Sequence, residues 1–169
     1  MTSGLPDDEL LAKAFSIIED TPDLEVVGHL RALLNVDHMV YYLPRASAAA
    51  YIRFTYPVSW IGRYLQMDYA NVDPIQREGF QRKLPFKWNE LKIQHAAEAS
   101  FLADALSHGI GPQGFSVPLN KHGHQALFSI SSSRTDQEWT DYLARTEPMI
   151  VQIADGLHRR VVINIFGPD

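Results

Sequence analysis

The chain has 169 residues, 46% of them apolar and 21% charged, and its 15 Lys and Arg against 20 Asp and Glu leave a formal charge of −5. That is a globular composition, and an acidic balance without a basic run disfavours direct contact with nucleic-acid phosphates. With no Cys, disulfides, thiol catalysis and thiolate metal sites are excluded.

The opening Met1-Thr2-Ser3-Gly4 stretch has neither the basic start nor the apolar run of a secretory leader, and no segment is apolar for long enough to span a bilayer. One domain over residues 1–169, cytoplasmic and without a membrane partner, is expected. Leu10, Leu11, Ala14, Phe15 and Ile18 recur at helical spacing, as do Leu24, Val27, Leu30 and Leu34. Thr21-Pro22-Asp23 between them supplies a capping hydroxyl, a Pro at the first helical position and a first-turn acid. Two antiparallel helices follow.

His38–Leu43 is rich in strand formers and stops at Pro44. Ala50, Ile52, Phe54 and Tyr56 then alternate with Tyr51, Arg53 and Thr55, the period of a strand. Ser59 is placed to cap a short helix carrying Trp60 and Tyr64 on one face. From Met67 to Trp88, Asp73-Pro74 and Pro85 interrupt any period, so a long packed connection is expected. Leu91, Ala97, Phe101 and Ala105 predict a helix stopped by Gly109. Two strands, near 114–119 and 125–131, flank the turn Lys121-His122-Gly123. Thr135 and Glu138 form a capping box for a last helix, which Pro148 should kink or split. Hairpins separated by helices predict an α+β fold, an α-β-α sandwich with a central antiparallel sheet.

Several motif-like features do not carry chemistry. Gly109-Ile110-Gly111-Pro112-Gln113-Gly114 matches G-x-G-x-x-G, but a dinucleotide fingerprint needs strand before and helix after, and here the order is reversed. His122-Gly123-His124 lacks nearby ligands to complete a metal shell and reads as a hairpin tip. Ser131, Ser132 and Ser133 have no nucleophile elbow or base and read as a polar loop cap. A different cluster is more informative. Tyr56, Trp60, Tyr64, Asp73 and Trp88 crowd one strand end and the irregular connection. Each alone reads as core or turn; together they are rigid apolar walls with polar tips and one strong acceptor, the lining of a small-molecule pocket.

The pattern Trp60-x3-Tyr64-x8-Asp73-Pro74-x13-Trp88, followed by Gly114-Phe115-Ser116-Val117-Pro118-Leu119, resembles the autoinducer-binding domain of LuxR-type quorum-sensing regulators. The resemblance covers essentially the whole chain. It implies a PAS- or GAF-like sandwich holding an N-acyl homoserine lactone between the sheet and one helical layer. By that resemblance Trp60 would donate to the lactone carbonyl and Asp73 would accept the amide N–H. Tyr56 and Ser129 would donate to the acyl carbonyl, while Tyr64 and Trp88 would pack on the ligand. A homodimer through the helix after Thr135 is also implied. DNA would be bound only through a C-terminal helix-turn-helix domain, which is absent here and expected to have been removed from a two-domain protein. Ile75 and Ile93 depart from the family, standing where some members place polar or aromatic groups.

Period two supports the same lining, since Ala50, Ile52 and Tyr56 share one face, as do Leu127 and Ser129. Small Ala50, Ala105 and Ala126 beside Ile52, Phe101 and Leu127 suggest a roomy apolar sleeve for a medium or long straight acyl chain. No cofactor is expected. The rival readings are a hydrolase of acyl amides or lactones and a PAS- or GAF-like sensor of another small molecule; the first lacks a visible activated nucleophile or metal-bound water.

Overall fold

The computed structural model describes residues 4–168. Helices α1 (Asp7–Asp20) and α2 (Val26–Leu34) lead into strands β1 (His38–Leu43) and β2 (Tyr51–Phe54). Helices α3 (Val58–Gln66) and α4 (Pro74–Gly79), strand β3 (Phe86–Lys87) and helix α5 (Ala96–Ser107) follow. The hairpin of β4 (Gln113–Leu119) and β5 (Ala126–Ser132) and the long α6 (Asp136–Phe166) complete the order. The strands form one antiparallel sheet, β2-β1-β5-β4-β3.

Strand alternation divides the molecule into two layers of helix around this sheet. Met39, Tyr41 and Leu43 of β1, Phe115 and Val117 of β4, and Phe128 and Ile130 of β5 share one core with α1, α2 and α6. Each large side chain removed from water there contributes about 1.5–3 kcal/mol. The intervening residues Val40, Tyr42, Leu127 and Ser129 face the other way, toward the layer built from α3, α4 and α5. The α-β-α sandwich expected from the sequence is the fold observed.

The differences are local. Residues 67–88 are more regular than their prolines suggest. Asp73 caps α4 by accepting from the amides of Ile75 and Gln76, with Pro74 at the first helical position, and β3 pairs with β4. Helix α5 begins at Ala96, leaving Leu91 outside it, and buries Glu98 while Ala97 is exposed. Leu24 is exposed in a 3-10 turn ahead of α2, and Thr21 caps nothing there, because the N-cap is Pro22. Phe15 is 38% exposed, with its ring edge lying over Gly156 of α6.

Pro148 does not split α6. It lies on the exposed side of the helix, where a carbonyl left without an amide partner can take water, while Met149, Ile150, Ile153 and Ala154 keep the helix docked. Its capping box forms as expected, with Thr135 Oγ1 accepting from the Glu138 amide and Glu138 accepting from the Thr135 amide. Ser131 and Ser132 are buried at the end of β5, and of the two only Ser132 caps the loop that follows, its hydroxyl accepting from the Arg134 amide at 3.2 Å.

Candidate ligand-binding site

Between the sheet and the α3–α5 layer lies a cavity of about 430 Å³, within the range of small-molecule sites. All twelve residues nominated from the sequence line it: Ala50, Ile52 and Tyr56 from β2 and its flanks, Trp60 and Tyr64 from α3, Asp73 and Ile75 at the start of α4, Trp88 after β3, Phe101 and Ala105 from α5, and Leu127 and Ser129 from β5. Two other residues assigned to its surroundings are not there. Ala126 points into the opposite core by strand alternation, and Ile93 is 44% exposed ahead of α5.

Local structure explains how each wall is placed. Spacing of four residues puts Trp60 and Tyr64 on one face of α3, their ring centroids 6.1 Å apart. Trp60 also meets Phe101 at 5.7 Å, Tyr69 at 5.7 Å and His108 at 5.2 Å. Helix α5 ends in a Schellman motif, in which Ile110 donates to the Ala105 carbonyl and Gly109, at φ +84°, donates to that of Leu106. The motif folds Ile110 back beside Ala105, and both line the cavity. The G-x-G-x-x-G segment is therefore a helix stop running into β4.

The polar groups divide into paired and unpaired. Asp73 is 8% exposed; its Oδ1 accepts from the Ile75 and Gln76 amides at 2.9 and 3.3 Å, and its Oδ2 accepts from Tyr64 at 2.9 Å. Burial raises its pKa to about 6, against the lowering effect of those three donors and with a further rise from the charge of Glu98. Burial, and then the negative charge of Asp73, also pushes the Tyr56 and Tyr64 hydroxyls up, so both stay protonated. Trp88 donates to Ser116 Oγ at 3.0 Å, and Ser116 Oγ lies 2.6 Å from Ser129 Oγ. The Trp60 indole N–H and the Tyr56 hydroxyl have no hydrogen-bond partner among the described residues, and both residues line the cavity.

The outer shell braces this arrangement. Arg77 of α4 donates to both oxygens of Glu98 on α5, at 2.8 and 3.0 Å, and Arg82 donates to Glu78 at 2.9 and 2.7 Å. These cations lie outside the cavity. Among the described lining residues there is one carboxylate and no Lys, Arg, His or Cys. The mouth is apolar, with Ile52 37%, Phe54 41% and Leu65 73% exposed.

Eight further lining residues escaped the sequence reading: Val40, Tyr42, Phe54, Ile61, Leu65, Ala70, Gln76 and Ile110. For three of them the signal was available, because Val40 and Tyr42 alternate with the buried Met39 and Tyr41, and Phe54 shares the period-two set of Ile52 and Tyr56. Among the described residues no group of three His, Asp or Glu could hold a metal ion, and no helix is long and apolar enough to cross a membrane.

Comparisons with known proteins bear on the family and the fold. The transcriptional activator protein RaiR of Rhizobium etli is 27% identical over 113 residues, 66% of this chain and 47% of RaiR, so the chain spans about half the length of that relative. The fold is shared with CepR2 of Burkholderia cenocepacia, described as an N-acylhomoserine lactone dependent LuxR family transcription factor, at TM-score 0.73 and 20% identity over 92% of this chain and 98% of that one. It is also shared with a phycoerythrobilin-bound GAF domain from a cyanobacterial phytochrome, at TM-score 0.54 and 15% identity over 96% of this chain and 99% of that one. The family model described as the autoinducer binding domain matches residues 24–161. The chain belongs to the autoinducer-binding domain family of LuxR-type quorum-sensing regulators, a family of ligand-binding domains of transcription regulators and not of enzymes.

Proposed function

We propose that the cavity holds a neutral N-acyl homoserine lactone and that the chain is the sensing domain of a cytoplasmic transcription regulator. One observation carries this reading: an otherwise apolar cavity gathers the unpaired donors of Trp60 and Tyr56, the hydroxyl of Ser129 and the acceptor Asp73. An acyl homoserine lactone has one amide N–H and two main carbonyl acceptors on an apolar tail, which is the complement of that set. Trp60 would serve the lactone carbonyl, Asp73 the amide N–H, and Tyr56 and Ser129 the acyl carbonyl. The apolar mouth at Ile52, Phe54 and Leu65 favours a medium or long acyl chain, whose end can reach the cavity edge.

The rival hydrolase reading is weakened by the lining itself. A nucleophile needs an adjacent base, and among the described residues the hydroxyl of Ser129 hydrogen-bonds only with Ser116. Incubation with N-octanoyl homoserine lactone followed by mass spectrometry separates the two. Recovery of intact, protein-bound lactone is expected; steady ring opening or deacylation would overturn the sensing reading. Dimerisation and DNA binding through a further domain remain part of the proposal, supported by relatives about twice as long as this chain.

A further inference from the structure

The hydrogen bonds behind the cavity wall have a direction. The Trp88 indole can only donate, so Ser116 Oγ, 3.0 Å away, must accept. Ser116 is fully buried, and the acceptor within reach of its own proton is Ser129 Oγ at 2.6 Å. Sending the Ser116 proton to Ser129 satisfies both neighbours of Ser116 and occupies a lone pair of Ser129. The Ser129 hydroxyl proton is then left over, and that hydroxyl has no other hydrogen-bond partner among the described residues. The vacant direction is the cavity that Ser129 lines.

We propose that Ser116 is a positioning residue for ligand selection: the relay Trp88 to Ser116 to Ser129 presents Ser129 to the ligand as a fixed donor. Ser116 does not line the cavity and touches no ligand; it acts through Ser129. A hydroxyl free to rotate could serve a ligand donor or acceptor equally. Oriented by the relay, it favours a carbonyl or ether oxygen at that point and disfavours an N–H or O–H. The two serines are directly paired across β4 and β5, which holds the spacing by backbone register. Gly114, two residues before Ser116 on the same strand face, leaves room for the indole that starts the relay.

This inference rests on the lactone reading, and a double-mutant cycle separates the two. Retention of N-octanoyl homoserine lactone is measured for wild type, Ser116→Ala, Ser129→Ala and the double variant, each produced in the presence of the lactone. Ser116→Ala should weaken retention roughly two- to tenfold, the worth of one oriented hydrogen bond. In the Ser129→Ala background the same change should cost less than about twofold, because its target is gone. Ser116→Cys, which keeps the volume but bonds weakly, should match Ser116→Ala and covers the case in which the alanine variant folds poorly. Equal losses in both backgrounds would make Ser116 a packing residue and overturn the relay. Failure of wild type to retain the lactone would overturn the functional reading and the relay with it.

Discussion

Gly114 and Trp88 compete for the same space: a Cβ on Gly114 would lie 1.8 Å from Cδ2 and 2.2 Å from Cε2 of the indole. The indole can therefore lie flat against β4 only where the strand lacks a side chain. Gly114→Ala should displace Trp88, break its bond to Ser116 and destabilise the fold by about 1–3 kcal/mol through overpacking. Urea unfolding of wild type and variant measures this; an unchanged midpoint would mean that the strand yields at no cost.

Asp73 predicts a pH dependence of opposite sign for stability and for binding. Its pKa rises from 3.8 in the unfolded chain to about 6 in the ligand-free fold, so the folded state binds more protons between those values. Stability from this group is full below about pH 4 and is lost as pH rises through 6, about 3 kcal/mol in all. A ligand N–H donated to the carboxylate favours the ionised form. Affinity for N-octanoyl homoserine lactone should therefore fall about tenfold from pH 7 to pH 5. Isothermal titration at both pH values checks this, and a flat profile would place the amide elsewhere.

Trp60 offers an N–H that no described residue accepts. Trp60→Phe keeps an aromatic wall against Tyr69 and Phe101 but removes that donor. The smaller ring costs packing with or without ligand, so the informative quantity is affinity, which should drop roughly two- to tenfold. Equal affinity would argue for a different ligand or pose.

Ligand should also stabilise the chain strongly. In the empty cavity the donors of Tyr56 and Trp60 have no partner among the described residues, and each unsatisfied group costs about 1–3 kcal/mol. Binding relieves those penalties, and mass action at a thousandfold excess over Kd adds about 4 kcal/mol. Thermal melts with and without N-octanoyl homoserine lactone should differ by many degrees; coincident melts would contradict the account.

Much of this site was legible because its residues repeat at the periods of their elements. Trp60 and Tyr64 follow the helix, Leu127 and Ser129 follow the strand, and both pairs face one cavity. Alternation also shows why Ala126 was misplaced: as the neighbour of Leu127 it must face the other core. Residues 67–95 were hard to read because tertiary partners decide their structure. Asp73 caps a six-residue helix too short to show a period, and β3 exists through two residues paired with Phe115 and Ser116. Glu98 is polar in sequence yet buried, because Arg77 from a different helix pairs with it. The relay through Ser116 depends on a cross-strand register that no local pattern reports.

The sharpest test replaces Asp73 by Asn. Asparagine is as good an N-cap as aspartate, so α4 should keep its start, and only the charge and half the acceptor capacity are lost. Native mass spectrometry of the chain produced with N-octanoyl homoserine lactone should show one intact lactone per wild-type chain. Asp73→Asn, folded by circular dichroism, should retain at least about tenfold less. Equal retention by the variant, or none by wild type, would contradict the claim that this cavity reads the amide of an acyl homoserine lactone.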